Sequence, residues 1–185
     1  MRHFGVSFAA TIIASFILSS CSYYGTETSI AGPSAKKTTK SKVMSNYASR
    51  LPQSISTRER TILIDPRVHA WGAYDASGQL IRAGLATAGG KWCADIRRGC
   101  KTAAGTFRIK NLGHRHCKSS KYPLPRGGAP MPYCMFFNGG QGLHGSYKVV
   151  EGNVSHGCVR VTVRDAEWLR FNFANIGTKV IVRPY

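Results

Sequence analysis

The chain is short of acid: 8 Asp and Glu stand against 26 Lys and Arg, which leaves a formal net charge of +18 and a pI near 10.2. Such an imbalance excludes a charge-balanced exterior and implies an anionic setting, whether nucleic acid, acidic polymer or anionic lipid. Long apolar runs are lacking too. The stretch from Phe4 to Leu18 is too short for a comfortable transmembrane span. Residues 22–58 hold few side chains able to build a core, being rich in Ser, Thr, Ala, Lys and Gly, which excludes a folded domain there. No recognisable nucleic-acid-binding pattern occurs. With 185 residues, 43% of them apolar, there is room for one domain with a real core plus tails and not for two.

What is present at the N-terminus narrows the setting. Arg2 and His3, the apolar run and then small residues before Cys21 follow the order of a secretory signal, so residues 1–20 are expected to direct export. Leu18-Ser19-Ser20-Cys21 is similar to a bacterial lipoprotein cleavage box, which implies that Cys21 becomes the lipidated first residue of the mature chain; an ordinary signal peptide cleaved near a cysteine is the alternative. Multiple acylation would anchor the chain stably. Ser22 is compatible with outer-membrane sorting, so the expected location is the periplasmic face of the outer membrane or the cell envelope. Residues 21–58, with Lys36-Lys37-Thr38-Thr39-Lys40-Ser41-Lys42, read as a basic disordered tether, either reaching toward an acidic wall polymer or serving as a solvated spacer. An exported chain seldom meets nucleic acid, which is therefore not an expected partner.

Regular structure is expected over residues 59–185. Thr61–Asp65, Val68–Tyr74 and Gln79–Thr87 read as strands, the last two joined by the turn-forming Asp75-Ala76-Ser77-Gly78. Thr106–Asn111, Met131–Phe137, a segment at or before Cys158, and Thr178–Arg183 supply further strands. Short strands with glycine-rich turns predict a mostly β domain, a sandwich or an open barrel. One C-terminal helix is expected, capped by Thr162 with Asp165, burying Ala166, Leu169 and Phe173 on one face and stopped by Gly177. Trp168 and Phe171 are assigned to packing with them.

Six cysteines are present. With Cys21 assigned to lipid and Cys158 held apart, Cys93, Cys100, Cys117 and Cys134 remain, and export favours disulfides among them. Three pairings are open. The expected one is Cys93–Cys100, closing a local loop, with Cys117–Cys134, pinning a long insertion to the following strand. His114 and His116 beside Cys117 raise a zinc alternative, disfavoured by irregular spacing and by export, so no metal and no cofactor is expected. Residues 113–132, with Pro123, Pro125, Pro130, Pro132, Gly127 and Gly128, form neither a long helix nor a central strand. They read equally as a surface loop or as a groove lining in which Arg126, Lys118 or Lys121 meet substrate carboxylates.

The chemistry concentrates in Val154-Ser155-His156-Gly157-Cys158-Val159-Arg160 and the upstream pair His144-Gly145. A thiol attacks carbonyls as its thiolate, and a nearby imidazole can take the proton and return it to a leaving amine. Gly157 leaves the backbone beside Cys158 unshielded, so amides at His156, Gly157 and Cys158 are oxyanion candidates. A buried structural cysteine on a Val-rich strand is the plainer alternative.

Ser155-His156-Gly157-Cys158-Val159-Arg160 resembles the signature of the L,D-transpeptidase (YkuD-type) catalytic domain. Thr102-Ala103-Ala104-Gly105-Thr106-Phe107 is similar to that family's Thr-Pro-x-Gly-x-Phe element, with Ala103 at the proline, and Met131–Phe137 leading to His144-Gly145 resembles the strand before the base. The resemblance implies Cys158 as nucleophile, His144 as base, and the Gly145 carbonyl as the group that orients His144. It implies peptidoglycan stem tetrapeptides as substrates, attacked at the L-centre carbonyl of a diamino acid with release of D-alanine. Arg160 would hold a stem carboxylate or brace its loop, and Ser155 and His156 would shape that loop. An acyl-enzyme resolved by an amine gives transpeptidation, with a second stem or a wall-attached protein as acceptor. Resolved by water, it gives an endopeptidase or amidase. A weakly catalytic wall-binding protein is the third reading. The short connection between His144 and Ser155 and the insertion from Cys93 to Cys134 depart from the family pattern, so the acceptor side is where this chain is expected to differ.

Overall fold

The structure is a computed structural model in which residues 46–185 are described. The expected signal at residues 1–20, lipidation at Cys21 and most of the tether lie outside the described residues. Among the described residues no helix is long and apolar enough to cross a membrane.

Among the described residues nine strands form two sheets. The first has five strands in the order β3-β2-β1-β9-β4, from β1 Thr61–Asp65, β2 Ala70–Tyr74, β3 Leu80–Leu85, β4 Gly105–Arg108 and β9 Lys179–Val182. The second has four, β5-β6-β7-β8, from β5 Asn111–Leu112, β6 Met135–Asn138, β7 Gln141–Ser146 and β8 Val159–Thr162. Most neighbours are antiparallel, but β1 runs parallel to β9 and β7 parallel to β8. Ile62 and Ile64 of β1 and Trp71 and Ala73 of β2 face Phe137, Leu143, Val159 and Val161 of the second sheet, forming the main core. The domain is therefore a sandwich, in keeping with the expected fold.

Residues alternate sides along a strand, so Leu63, Ala70 and Tyr74 point to the other face of the first sheet. There they pack with Leu51, Ile55 and Tyr47. This explains why β1 and β2 are buried along their whole length, and it corrects the tether boundary. Residues 46–58 belong to the domain: Leu51 is buried, Ser54 bridges Gln79, and the Tyr74 hydroxyl donates to Pro52 O at 2.8 Å. The polar composition of the stretch hid a few apolar anchors sufficient to cover one sheet face.

The helix α1, Val163–Trp168, starts as expected, with Thr162 Oγ1 accepting from the Asp165 N–H at 3.1 Å. It then widens into a π-helical turn, Leu169–Phe173, in which the Ala174 N–H donates to Leu169 O at 2.7 Å. The helical stretch ends there, because Ala174 turns extended and is buried in the core. Gly177, expected to be the stop, instead shapes the turn into β9, with φ +92°. Ala166, Leu169 and Phe173 are buried. Phe171 is not part of the core and is 62% exposed. Two residues from Leu169 it faces away from the i, i+4 stripe, and it stands edge-on to Tyr133 with ring centroids 5.7 Å apart. Trp168 is partly buried between Phe173 and the Arg82 guanidinium, and Arg82 also pairs with Asp165 at 2.7 Å, tying α1 to β3.

Candidate active site

Cys158 immediately precedes β8 and His144 lies on the parallel neighbour β7, in register with Arg160. Both line one cavity of about 890 Å³ together with Arg160 and segments of both cysteine-rich insertions. The disulfides are Cys93–Cys100 and Cys117–Cys134, the expected pairing, and Cys158 is the free thiol among the described residues. With Cys117 and Cys134 joined, the zinc alternative loses two ligands. Cys93, Asp95 and His156 also offer ligand atoms within 4.8 Å of one another, but the Cys93 sulfur is likewise in a disulfide and the cluster is no thiolate site.

His144 is buried, and its Nδ1 lies 2.8 Å from Gly145 O. A carbonyl only accepts, so Nδ1 carries the hydrogen, and in the neutral ring Nε2 is the unprotonated nitrogen. Burial pushes the imidazole pKa down to about 4, opposed by the Gly145 hydrogen bond and assisted by the Arg160 charge. Burial also raises the Cys158 thiol, partly countered by the Gly142 backbone and Arg160. Both shifts have one origin, the penalty of holding charge in a low dielectric. The resting pair at neutral pH is therefore a thiol and a neutral imidazole, a nucleophile and a base each awaiting the proton transfer.

The loop carrying Cys158 is held from beneath. Thr102 Oγ1 donates to Gly157 O at 2.9 Å and accepts from the Gly89 N–H at 3.0 Å, buried throughout. The Tyr185 hydroxyl donates to Gly89 O at 2.7 Å and accepts from the Thr102 N–H at 2.9 Å. Gln141 Oε1 accepts from the Ala103 N–H at 3.0 Å while its Nε2 donates to Lys101 O at 3.0 Å. These contacts give the Thr102-Ala103 motif a physical role: it clamps the turn before the cysteine. Thr87 and Arg160 exchange both backbone hydrogen bonds at 2.9 Å, and Ser155 is bonded to Ala88 O and the Gly90 N–H.

Gly157 has φ +114°, which an L side chain rarely adopts. Its N–H donates to Ser155 Oγ at 3.2 Å, and Ser155 Oγ donates to Cys158 O. Ser155, 1% exposed, is thus an internal brace of the turn. The Gly157 amide is engaged within the loop, which leaves the His156 and Cys158 amides as the oxyanion candidates. Cys158 Sγ lies 3.5 Å from Gly140 O. His156 points away from the thiol's backbone brace, with Nε2 at 2.8 Å from Asp95 Oδ2 and its ring 4.4 Å from that of Tyr122. Thr102, Gln141, Tyr185 and Asp95 were not read as site residues from the sequence. Of these, Thr102 alone carried a signal, by its place in the upstream motif.

The structure is similar to that of an L,D-transpeptidase from Xylanimonas cellulosilytica DSM 15894, at 26% identity and TM-score 0.61, covering 71% of this chain and 64% of that one. It shares its fold with an L,D-transpeptidase from Stackebrandtia nassauensis, at 21% identity and TM-score 0.54, covering 71% and 60%. The same holds for L,D-transpeptidase 3 from Mycobacterium tuberculosis in complex with a faropenem-derived adduct, at 18% and 0.54, covering 68% and 60%. The chain thus spans less than two thirds of these proteins' own length. No curated protein matches the sequence. The family profile described as the L,D-transpeptidase catalytic domain, YkuD, matches residues 59–182. Since that match takes in both sheets, the clamp and the cysteine loop, this chain belongs to the L,D-transpeptidase catalytic domain (YkuD) family.

Proposed function

We propose that this protein is a cysteine-dependent L,D-transpeptidase acting on peptidoglycan stem peptides. The observation that carries the reading is one arrangement: the free thiol of Cys158 and the buried, neutral His144, oriented through Nδ1 by the Gly145 carbonyl, share one cavity. In this reading the Cys158 proton passes to His144 Nε2 as sulfur attacks the amide carbonyl. The His156 and Cys158 amides receive the oxyanion. The C–N bond then breaks, His144 returns the proton to the leaving D-alanine, and a thioester remains on Cys158. An acceptor amine resolves it by forming a new C–N bond as the C–S bond breaks. Arg160, on β8, lies two residues beyond the nucleophile and would hold a donor carboxylate by its planar fork.

We read the N-terminal segment as delivery: a signal over residues 1–20, lipidation at Cys21 and a basic tether that keeps the domain at the periplasmic face of the outer membrane, near the acidic wall. Support for this is the order of charged, apolar and small residues before Cys21.

Incubation of the purified protein with disaccharide tetrapeptide, followed by mass spectrometry beside a Cys158→Ala control, tests the reading. Loss of D-alanine with cross-linked dimers is the expected result. Tripeptide without dimers would replace transfer by hydrolysis, and no Cys158-dependent product would overturn the catalytic reading.

A further inference from the structure

Five cations line the cavity: Lys148 and Arg160 from the β7 and β8 side, and Arg98, Lys118 and Lys121 from the two disulfide-closed insertions. Among the described residues no Asp or Glu lines it. None of the five takes part in any of the seven ion pairs among the described residues. Like charges gathered on one concave wall repel one another and draw anions to it. The nearby carboxylate, Asp95, is already tied to His156.

The insertion wall is built, not loose. Cys117–Cys134 staples its base, and Met131 N–H donates to Cys117 O at 2.8 Å. Ser119 Oγ accepts from the N–H groups of Lys121 and Tyr122 at 3.2 and 2.8 Å, and Ala129 N–H donates to Tyr122 O at 2.9 Å. Tyr122 in turn packs on His156, which holds Asp95 of the Arg98 loop. The backbone that carries three cations on two loops is therefore held beside the cysteine turn before any ligand arrives, so binding has to order those side chains but not the loops.

We propose that Arg98, Lys118 and Lys121 form an anion subsite that selects, as acceptor of the acyl group, an amine-bearing peptide with free carboxylates. The proposal rests on the acyl-transfer reading and adds the chemistry of its second substrate. Arg160, beside the nucleophile, serves the donor; the insertion cations serve the peptide that arrives once the leaving amine has gone. The acceptor nitrogen forms the new C–N bond, the C–S bond breaks, and the amine proton returns to the Cys158 sulfur through His144.

The test is binding of two probes to the full chain carrying Cys158→Ala: N-acetyl-Ala-Glu-Lys with free carboxylates, and the same peptide with both carboxylates as carboxamides. Exposed charge pairs are individually weak, so three together are expected to favour the acid by about tenfold in Kd. Adding Arg98→Gln, Lys118→Gln and Lys121→Gln erases that preference, whereas the charge-matched Lys36→Gln, Lys37→Gln and Lys40→Gln set retains it. Equal binding of the two probes, or an equal loss from the Lys36, Lys37 and Lys40 set, overturns the subsite. Far-UV circular dichroism and a urea midpoint unchanged from the parent show that the Arg98, Lys118 and Lys121 variant is folded, and carbapenem adduct formation by the wild-type chain, with Cys158 present, reads the thiol chemistry separately. A wild-type chain that prefers the acid yet forms no adduct sinks the acyl-transfer reading and leaves the anion subsite standing.

Discussion

His156 Nε2 lies 2.8 Å from Asp95 Oδ2 and 2.9 Å from Oδ1, joining the turn that presents Cys158 to the loop closed by Cys93–Cys100. The pair is partly open to solvent, with side-chain exposures of 29% and 51%. Its contribution is to position the cavity mouth more than to stabilise the fold, since water and salt screen such pairs.

Asp95→Asn is accordingly expected to alter stability by less than about 1 kcal/mol while raising KM for the stem-peptide donor and leaving kcat near its wild-type value. Thermal unfolding and steady-state kinetics on the same preparation check this. A fall in kcat with KM unchanged would place the pair in the chemical step instead.

His144→Gln keeps a polar side chain of similar reach but removes the imidazole, the base of the proposed reaction. Acylation by a carbapenem, followed by intact-protein mass spectrometry, is expected to slow by about 10²–10⁴-fold. Cys158→Ala abolishes the adduct altogether.

The depressed His144 pKa has a sign that stability measurements can read. An unfolded histidine titrates near 6.5 and the folded one near about 4, so between these values the unfolded chain binds the additional proton. The stability due to the buried neutral ring is fully present above pH 6.5 and is lost as pH falls toward 4, an effect on the order of 3 kcal/mol. Urea unfolding at pH 7 and pH 4.5 is expected to show that loss in the wild type and a smaller one in His144→Gln. In the proposed reaction acylation uses the same neutral ring, so its rate is expected to fall off only as pH drops through about 4.

Thr102→Val preserves shape but leaves Gly157 O and the Gly89 N–H without their partner in a buried place. An unpaired buried group costs about 1–3 kcal/mol, so the urea midpoint should fall with an unchanged m value. Adduct formation should slow as well, because the clamp holds the cysteine turn.

Gly157→Ala meets two obstacles of unequal weight. A Cβ would come within 3.0 Å of Gln141 Nε2, the end of a side chain able to shift, whereas φ +114° is strained for any L residue. The backbone decides, with a penalty of about 1–3 kcal/mol, seen as a lowered unfolding midpoint and a slower adduct.

Much of the fold was legible because strands leave a local trace, either a continuous apolar run where both faces are covered, as in β1, or a period-2 alternation, as in β9. Ile62, Leu63 and Ile64 or Val180 and Val182 identify strands without knowledge of their neighbours, and Thr162 with Asp165 identifies a helix start through a local hydrogen bond. The placements that failed depended on neighbours distant in the chain. Leu51 sits in a polar stretch, and only the uncovered face of β1 and β2 makes it a core residue. Phe171 looks apolar enough to bury, yet the face on which the helix packs leaves it outside.

The same division runs through the site. That Cys158, His144 and Gly145 would come together was readable because they lie in short motifs that resemble a family signature, and the structure brings Cys158 and His144 to one cavity with His144 Nδ1 on Gly145 O. The disulfide pairing of the structure is the expected one of three that the sequence left open. What the tertiary structure alone decided is which groups support and surround them: Thr102 beneath Gly157, Gln141 across Ala103, Asp95 on His156, and three insertion cations around one cavity. Those contacts join residues far apart in sequence, and their geometry follows from how two sheets and two stapled loops pack, which no local pattern encodes.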